Sequence, residues 1–156
     1  MEVTDWCLDK KLKMRFLQGL DIRLVDEQIA KRLFEIRNHH TLSFAWDNLA
    51  DEKIIREKVE LLAKAGFTKN QLRDYVQFYV YVDSDEEYDS GVYRCRELKK
   101  LRCNAFVMFN IDNEQTQRIK NLKWWSKGKV YFWIMDLVDF DSRARSKNGS
   151  KPVKAL

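Results

Sequence analysis

The sequence is poor in the residues that define several protein classes. Five glycines and a single proline, Pro152, in 156 residues exclude collagen-like chains and argue against linker-like or disordered ones. Three cysteines, Cys7, Cys95 and Cys103, are too few and too odd in number for a disulfide framework. They predict free thiols in a reducing compartment. The two histidines, His39 and His40, are adjacent. A Ser/His/Asp or Cys/His mechanism would therefore have few bases to choose from. With no acid or cysteine at ligand spacing, the pair reads as surface-loop histidines and not as a zinc site. No apolar run approaches the ~18 residues that a membrane span needs. The opening MEVTDWCLDKK also lacks the basic and apolar regions of a signal peptide, so the expected compartment is cytoplasmic. No nucleophile-elbow, zincin, Walker or dinucleotide-binding glycine pattern occurs.

What is present is ordinary for a globular protein: 45% hydrophobic and 13% aromatic residues. A chain of this length fits one domain that buries about two thirds of its unfolded surface. The net charge of +5 is unevenly spread. Residues 141–156 hold five bases and one acid, so four of the five net positive charges fall there. Residues 1–140 read as one α/β domain and 141–156 as a basic disordered tail. Arg143, Arg145, Lys147, Lys151 and Lys154 would make that tail either solubilising or a weak, non-specific phosphate contact.

Along the chain, strand-length apolar runs alternate with stretches of helical period. Strands are expected at Met14–Leu24, Thr41–Trp46, Tyr75–Val82, Ala105–Phe109 and Lys129–Val138. Asp26 is a good N-cap for a helix to Arg37, and a second helix is expected over Asp51–Ala65. Gly66 sits where a helix C-cap needs positive φ. Ser84-Asp-Glu-Glu87 has the form of a capping box, opening a helix with Tyr88, Val92, Cys95 and Leu98 on one face. A further helix is expected from Asp112 to Trp125. The acidic run from Asp83 to Asp89 fits a helix N-terminus better than a calcium loop. Trp124, Trp125 and Trp133 read as core residues before base-stacking ones. The β-α alternation predicts parallel βα repeats, with strands Tyr75–Val82 and Ala105–Phe109 apolar enough to be covered on both faces.

In parallel α/β architecture, ligands gather at the C-terminal ends of strands. That rule selects Asp21 and Arg23, then Asp47 and Asn48, then Asp83, then Asn110 and Asp112. The competing reading is that such residues simply cap the next helix. For Asp21 and Arg23, a buried salt bridge is a further alternative. Strand alternation puts Gly19, Asp21 and Arg23 on one face, and Gln18, Leu20 and Ile22 on the other.

Four segments go beyond this general pattern: Phe16-Leu-Gln-Gly-Leu-Asp-Ile-Arg23, Phe44-Ala-Trp-Asp47, Tyr79-Val-Tyr-Val82 and Phe106-Val-Met108. In this order, from about Arg15 to Trp125, the chain resembles the C-terminal half of a radical S-adenosylmethionine protein. The resemblance implies strands three to six of a (β/α)6 barrel, a half TIM-like sheet with helices on its outer face. It implies that Asp21, Arg23, Asp47 and Asn48 lie toward S-adenosylmethionine or substrate. Tyr79, Tyr81 and Met108 would fall on the later strands lining the adenine and substrate side. It also implies a [4Fe–4S] cluster on a C-x-x-x-C-x-x-C loop, which Cys7, Cys95 and Cys103 do not form. The expectation is therefore no cofactor in this chain alone and no radical chemistry by it alone. S-adenosylmethionine and the cluster belong to a complete protein. A homodimer, or a partner supplying the missing strands, would cover the exposed sheet edges. The alternative is a non-catalytic interaction module on the same scaffold, with nucleic acid reached through the tail.

Overall fold

The structure is a computed structural model that describes residues 6, 9–10, 16, 18–36, 41–127 and 129–143. Cys7, His39, His40 and the tail beyond Arg143 lie outside the described residues. Helix α1 spans Glu27–Ile36, strand β1 Leu42–Ala45, helix α2 Glu52–Lys64 and helix α3 Lys69–Tyr75. Strand β2 spans Val76–Tyr81, helix α4 Asp85–Lys100, strand β3 Asn104–Met108, helix α5 Gln117–Lys127 and helix α6 Lys129–Ile134. The strands form one parallel sheet in the order β1-β2-β3. This is the expected α/β class with parallel βα repeats.

Strand alternation gives this sheet two unlike faces. Phe44, Phe78 and Ala105 stand in register and are buried, with Leu42, Val76, Val80 and Val107 beside them on the same face. Helix α4 packs on this face so closely that a Cβ on Gly91 would overlap Val82 Cγ2. The other face carries the registered rows Ser43–Gln77–Asn104 and Ala45–Tyr79–Phe106, then Tyr81–Met108. Here Tyr79 and Phe106 are half-buried, and Tyr81 and Met108 are 40% and 38% exposed.

Several boundaries follow local chemistry. Asp26 Oδ1 accepts from Ile29 N–H at 2.7 Å and opens α1. Gly66 has φ +123°, as the C-terminus of α2 requires, and lies against the Phe34 ring. Helix α3 was not anticipated. It begins at a reciprocal capping box between Thr68 and Gln71, a spacing readable as T-x-x-Q. At Ser84 the helix starts as expected, but the cap differs: Ser84 makes no side-chain cap bond, and Glu87 Oε2 accepts from Asp83 N–H at 2.7 Å.

Two expected strands are corrected. Of Met14–Leu24, the described residues contribute one parallel bridge, Leu20 to Phe44, with Leu20 N–H donating to Ser43 O at 2.7 Å. The chain then turns into a 3-10 segment at Ile22–Leu24, because Asp21 accepts from Arg23 N–H and ends the extended run. The run Lys129–Val138 is not a strand. It forms α6 and a 3-10 turn at Leu137–Asp139. Its aromatic content suits a strand, but α5 already lies along the outer side of β3, where Ser126 Oγ accepts from Val107 N–H at 3.1 Å. Phe132 instead packs on Trp125, with ring centroids 4.8 Å apart. The helix expected from Asp112 begins at Gln117, because Asn110 Oδ1 accepts from Asp112 N–H and holds that segment as a turn.

Candidate functional site

The C-terminal ends of the Leu20 bridge and β1 enclose a cleft of about 320 Å³. Gly19, Asp21, Arg23, Ala45, Asp47 and Asp51 line it. Each comes from a segment that leaves the sheet in the same direction, so polar side chains gather where the strands end. Gly19 lies close to Tyr79: a Cβ there would stand 3.3 Å from the ring, a tight contact.

Asp21 and Arg23 form a forked pair, with Arg23 Nη2 2.8 Å from Asp21 Oδ2 and Nε 2.9 Å from Oδ1. The Arg23 side chain is 59% exposed, so the buried salt bridge considered from the sequence is not what forms. The Arg23 hydrogen bonds hold the Asp21 carboxyl below its usual range, and Asp21 raises Arg23 in return. Asp47 is exposed on the same cleft. Asn48 does what the capping alternative assigned to it: its Oδ1 accepts from Ala50 N–H at 2.9 Å and opens the 3-10 turn Leu49–Asp51.

Tyr79, Tyr81 and Met108 stand together on the open sheet face and do not line the cleft. Tyr79 and Phe106 meet edge to face at 5.9 Å. Partial desolvation, then the Asp83 carboxylate, raises the Tyr81 phenol. Asp83 and Asn110 are brought together at the ends of β2 and β3, where Asp83 Oδ1 accepts from Asn110 N–H at 2.7 Å. Asn113 and Gln115 also donate to Asp83, so its carboxylate organises the loop after β3. Asp112 is exposed beside this loop. Of Trp124, Trp125 and Trp133, Trp125 is core and Trp133 is half-buried with its indole donating to Asn104 Oδ1, while Trp124 is 39% exposed.

The residue that sequence reasoning missed is Arg94. It is 2% exposed on α4, and its guanidinium spans the exits of β1 and β2. Nη1 donates to Trp46 O at 2.6 Å and Asp47 O at 3.0 Å, Nη2 to Tyr81 O at 2.9 Å, and Nε to Ser90 O at 3.3 Å. No carboxylate among the described residues forms an ion pair with it, and burial lowers its pKa. The readable signal was its place on the buried stripe of α4, three residues after Gly91 and four before Leu98.

The two described thiols are core groups. Burial pushes Cys95 up to about 12, and Cys103 is pushed up further by the same cause. Among the described residues there is no group of three His, Cys, Asp or Glu side chains able to hold a metal ion. The residues described do not fit an iron–sulfur cluster, whose ligands are thiolates. Among them, no helix is long and apolar enough to cross a membrane. Compared with known proteins, the chain matches no family model, no curated protein and no solved structure.

Proposed function

We propose that this chain is an arc of a radical S-adenosylmethionine-like (β/α) barrel, contributing contacts to S-adenosylmethionine or substrate at its strand ends. The cluster of such an enzyme would be held by a segment outside this sequence. One observation carries the reading. The four segments that carry the resemblance lie side by side in a parallel arrangement and in chain order: the Leu20 bridge, β1, β2 and β3. The acids and the guanidinium at the first two ends share one cleft.

S-adenosylmethionine, when bound, supplies an activated sulfonium-linked carbon. The chain supplies the rim. The Asp47 carboxylate is suited to accept hydrogen bonds from ribose hydroxyls, and the Asp21–Arg23 fork offers a donor and an acceptor at the cleft mouth. The described thiols do not fit the cluster, so electron transfer would fall to the segment that holds it. The open face, with Tyr79, Tyr81, Phe106 and Met108, supports a second layer of protein over it. That layer is either a partner that completes the barrel or a second copy.

The same open face favours the second reading, a non-catalytic interaction module. A nucleic-acid role for the tail gains nothing from Arg143. It turns back on Asp141, with Nη2 3.0 Å from Oδ2.

Calorimetric titration with S-adenosylmethionine separates the two. Saturable binding is expected, weakened about tenfold in Asp47→Asn by loss of a charge-assisted hydrogen bond. No saturable binding at millimolar ligand overturns the first reading and leaves the interaction module.

A further inference from the structure

The cleft is built from segments that belong to separate βα units. Asp47 follows β1 and lines the cleft with the Leu20 segment, while on the other side of β1 the next exit is that of β2, outside the cleft lining. Something must hold these exits at a fixed separation if the Asp47 carboxylate is to meet a ligand in one place. Exits from parallel strands end in carbonyl groups that have left the ladder and need donors. Here the donors come from one side chain. Arg94 reaches Trp46 O and Asp47 O on the β1 exit and Tyr81 O at the end of β2, and it also closes back on Ser90 O of its own helix.

A guanidinium suits this task for a geometric reason. Its five donors lie in one rigid plane, so bonding to one exit fixes where the other must be. Lysine would bring the same charge as a single point without the fork. The site is also an unusual place for a cation. Taking a charge out of water is costly unless it is paired or fully hydrogen-bonded, and among the described residues no carboxylate forms an ion pair with Arg94.

We propose that Arg94 is the positioning residue of the cleft, a buried fork that joins the β1 exit at Trp46–Asp47 to the β2 exit at Tyr81 and so sets where the Asp47 carboxylate stands. The inference rests on the reading of the cleft as a ligand site, but its structural part is measurable without a ligand.

The reporter is Trp46. Its indole Nε1–H donates to Asn48 O at 2.8 Å, bracketing Asp47 within the same exit. Two other indoles serve as internal controls: Trp125 donates to Met135 O and Trp133 to Asn104 Oδ1, and neither shares an acceptor residue with Arg94. In Arg94→Lys, hydrogen exchange followed by NMR should speed at the Trp46 indole about tenfold, while the Trp125 and Trp133 indoles keep their rates. Affinity for S-adenosylmethionine should fall about tenfold as well, and Asp47→Asn should cost less in the Arg94→Lys background than alone. A Trp46 rate that is unchanged, or that rises only in step with the other two indoles, overturns the proposal. If Arg94→Lys does not fold, the wild-type chain decides. The Arg94 Nε–H should exchange far more slowly than that of exposed Arg143, and equal rates overturn the proposal. If the wild-type chain does not bind S-adenosylmethionine, the reading of the cleft fails. The indole rates alone then decide the role of Arg94.

Discussion

The two faces of the sheet are made by the same strands and differ most toward the strand ends, since Ser43 and Asn104 on the second face are still buried. On one, Phe44, Phe78, Val80 and Val107 are fully buried, and Phe44 and Phe78 stack in register with centroids 5.5 Å apart. On the other, Tyr79 leans on Gly19 and on Phe106, while Tyr81 and Met108 remain partly in solvent. Successive residues of β2 therefore answer to different demands. The buried set accounts for the fold, because apolar area removed from water is the main favourable term. The half-buried set keeps aromatic surface that the described residues leave partly in solvent.

Phe78→Ala against Tyr79→Ala tests that division most directly. Denaturant unfolding should show a loss of about 3–5 kcal/mol for Phe78→Ala, since a fully buried ring leaves a cavity. The adjacent Tyr79→Ala should cost well under half as much. Equal losses would mean that both faces are packed, and the distinction would fall. Next in size is Gly91→Ala. Alanine gains about 1 kcal/mol of helix propensity over glycine. Against this, the new methyl overlaps Val82 in a closed layer, so the net outcome should be a loss of about 1–2 kcal/mol by calorimetry. A stabilised variant would show that α4 can move off the sheet.

The smallest expected effect is on pH dependence, and it belongs to the contact between α2 and α4. Glu97 is 4% exposed and accepts from Arg56 and Lys100. Burial raises its pKa, but the Lys100 and Arg56 hydrogen bonds and charges outweigh burial and hold it below the usual glutamate value. A carboxyl lowered in the folded state binds protons more readily when unfolded. Its contribution is therefore full above the unfolded value and is lost as pH falls through the folded one. Thermal midpoints should drop below about pH 4, and Glu97→Gln should flatten that drop. An unchanged acid profile in Glu97→Gln would assign the drop to other carboxylates.

The parts legible in the sequence were those that depend on near neighbours. Strands β2 and β3 were readable as continuous apolar runs, and α1, α2 and the positive-φ Gly66 from caps and period. The run Lys129–Val138 was misread because its local preference for a strand is real. What decides against it is α5 lying along β3, a contact that no window of the sequence contains. The cleft was legible in part, since strand-end acids follow from topology. Asn48 proved to be a cap, and Tyr79, Tyr81 and Met108 stand on the open face. Arg94 carries only a weak signal, its place on the buried stripe of α4: charged residues are expected outside, and the four carbonyls around it explain why this one is inside.

The bond from Val107 N–H to Ser126 Oγ has one more consequence. It occupies an outward main-chain donor of β3 with a side chain of α5. A newcomer that adds by main-chain pairing meets a sealed flank at β3, whereas on the β1 flank the described residues offer one bridge, at Leu20. Among the described residues, the two flanks of the sheet are therefore unequal: pairing beside β3 would have to displace α5, whereas pairing beside β1 would have to displace the Leu20 bridge.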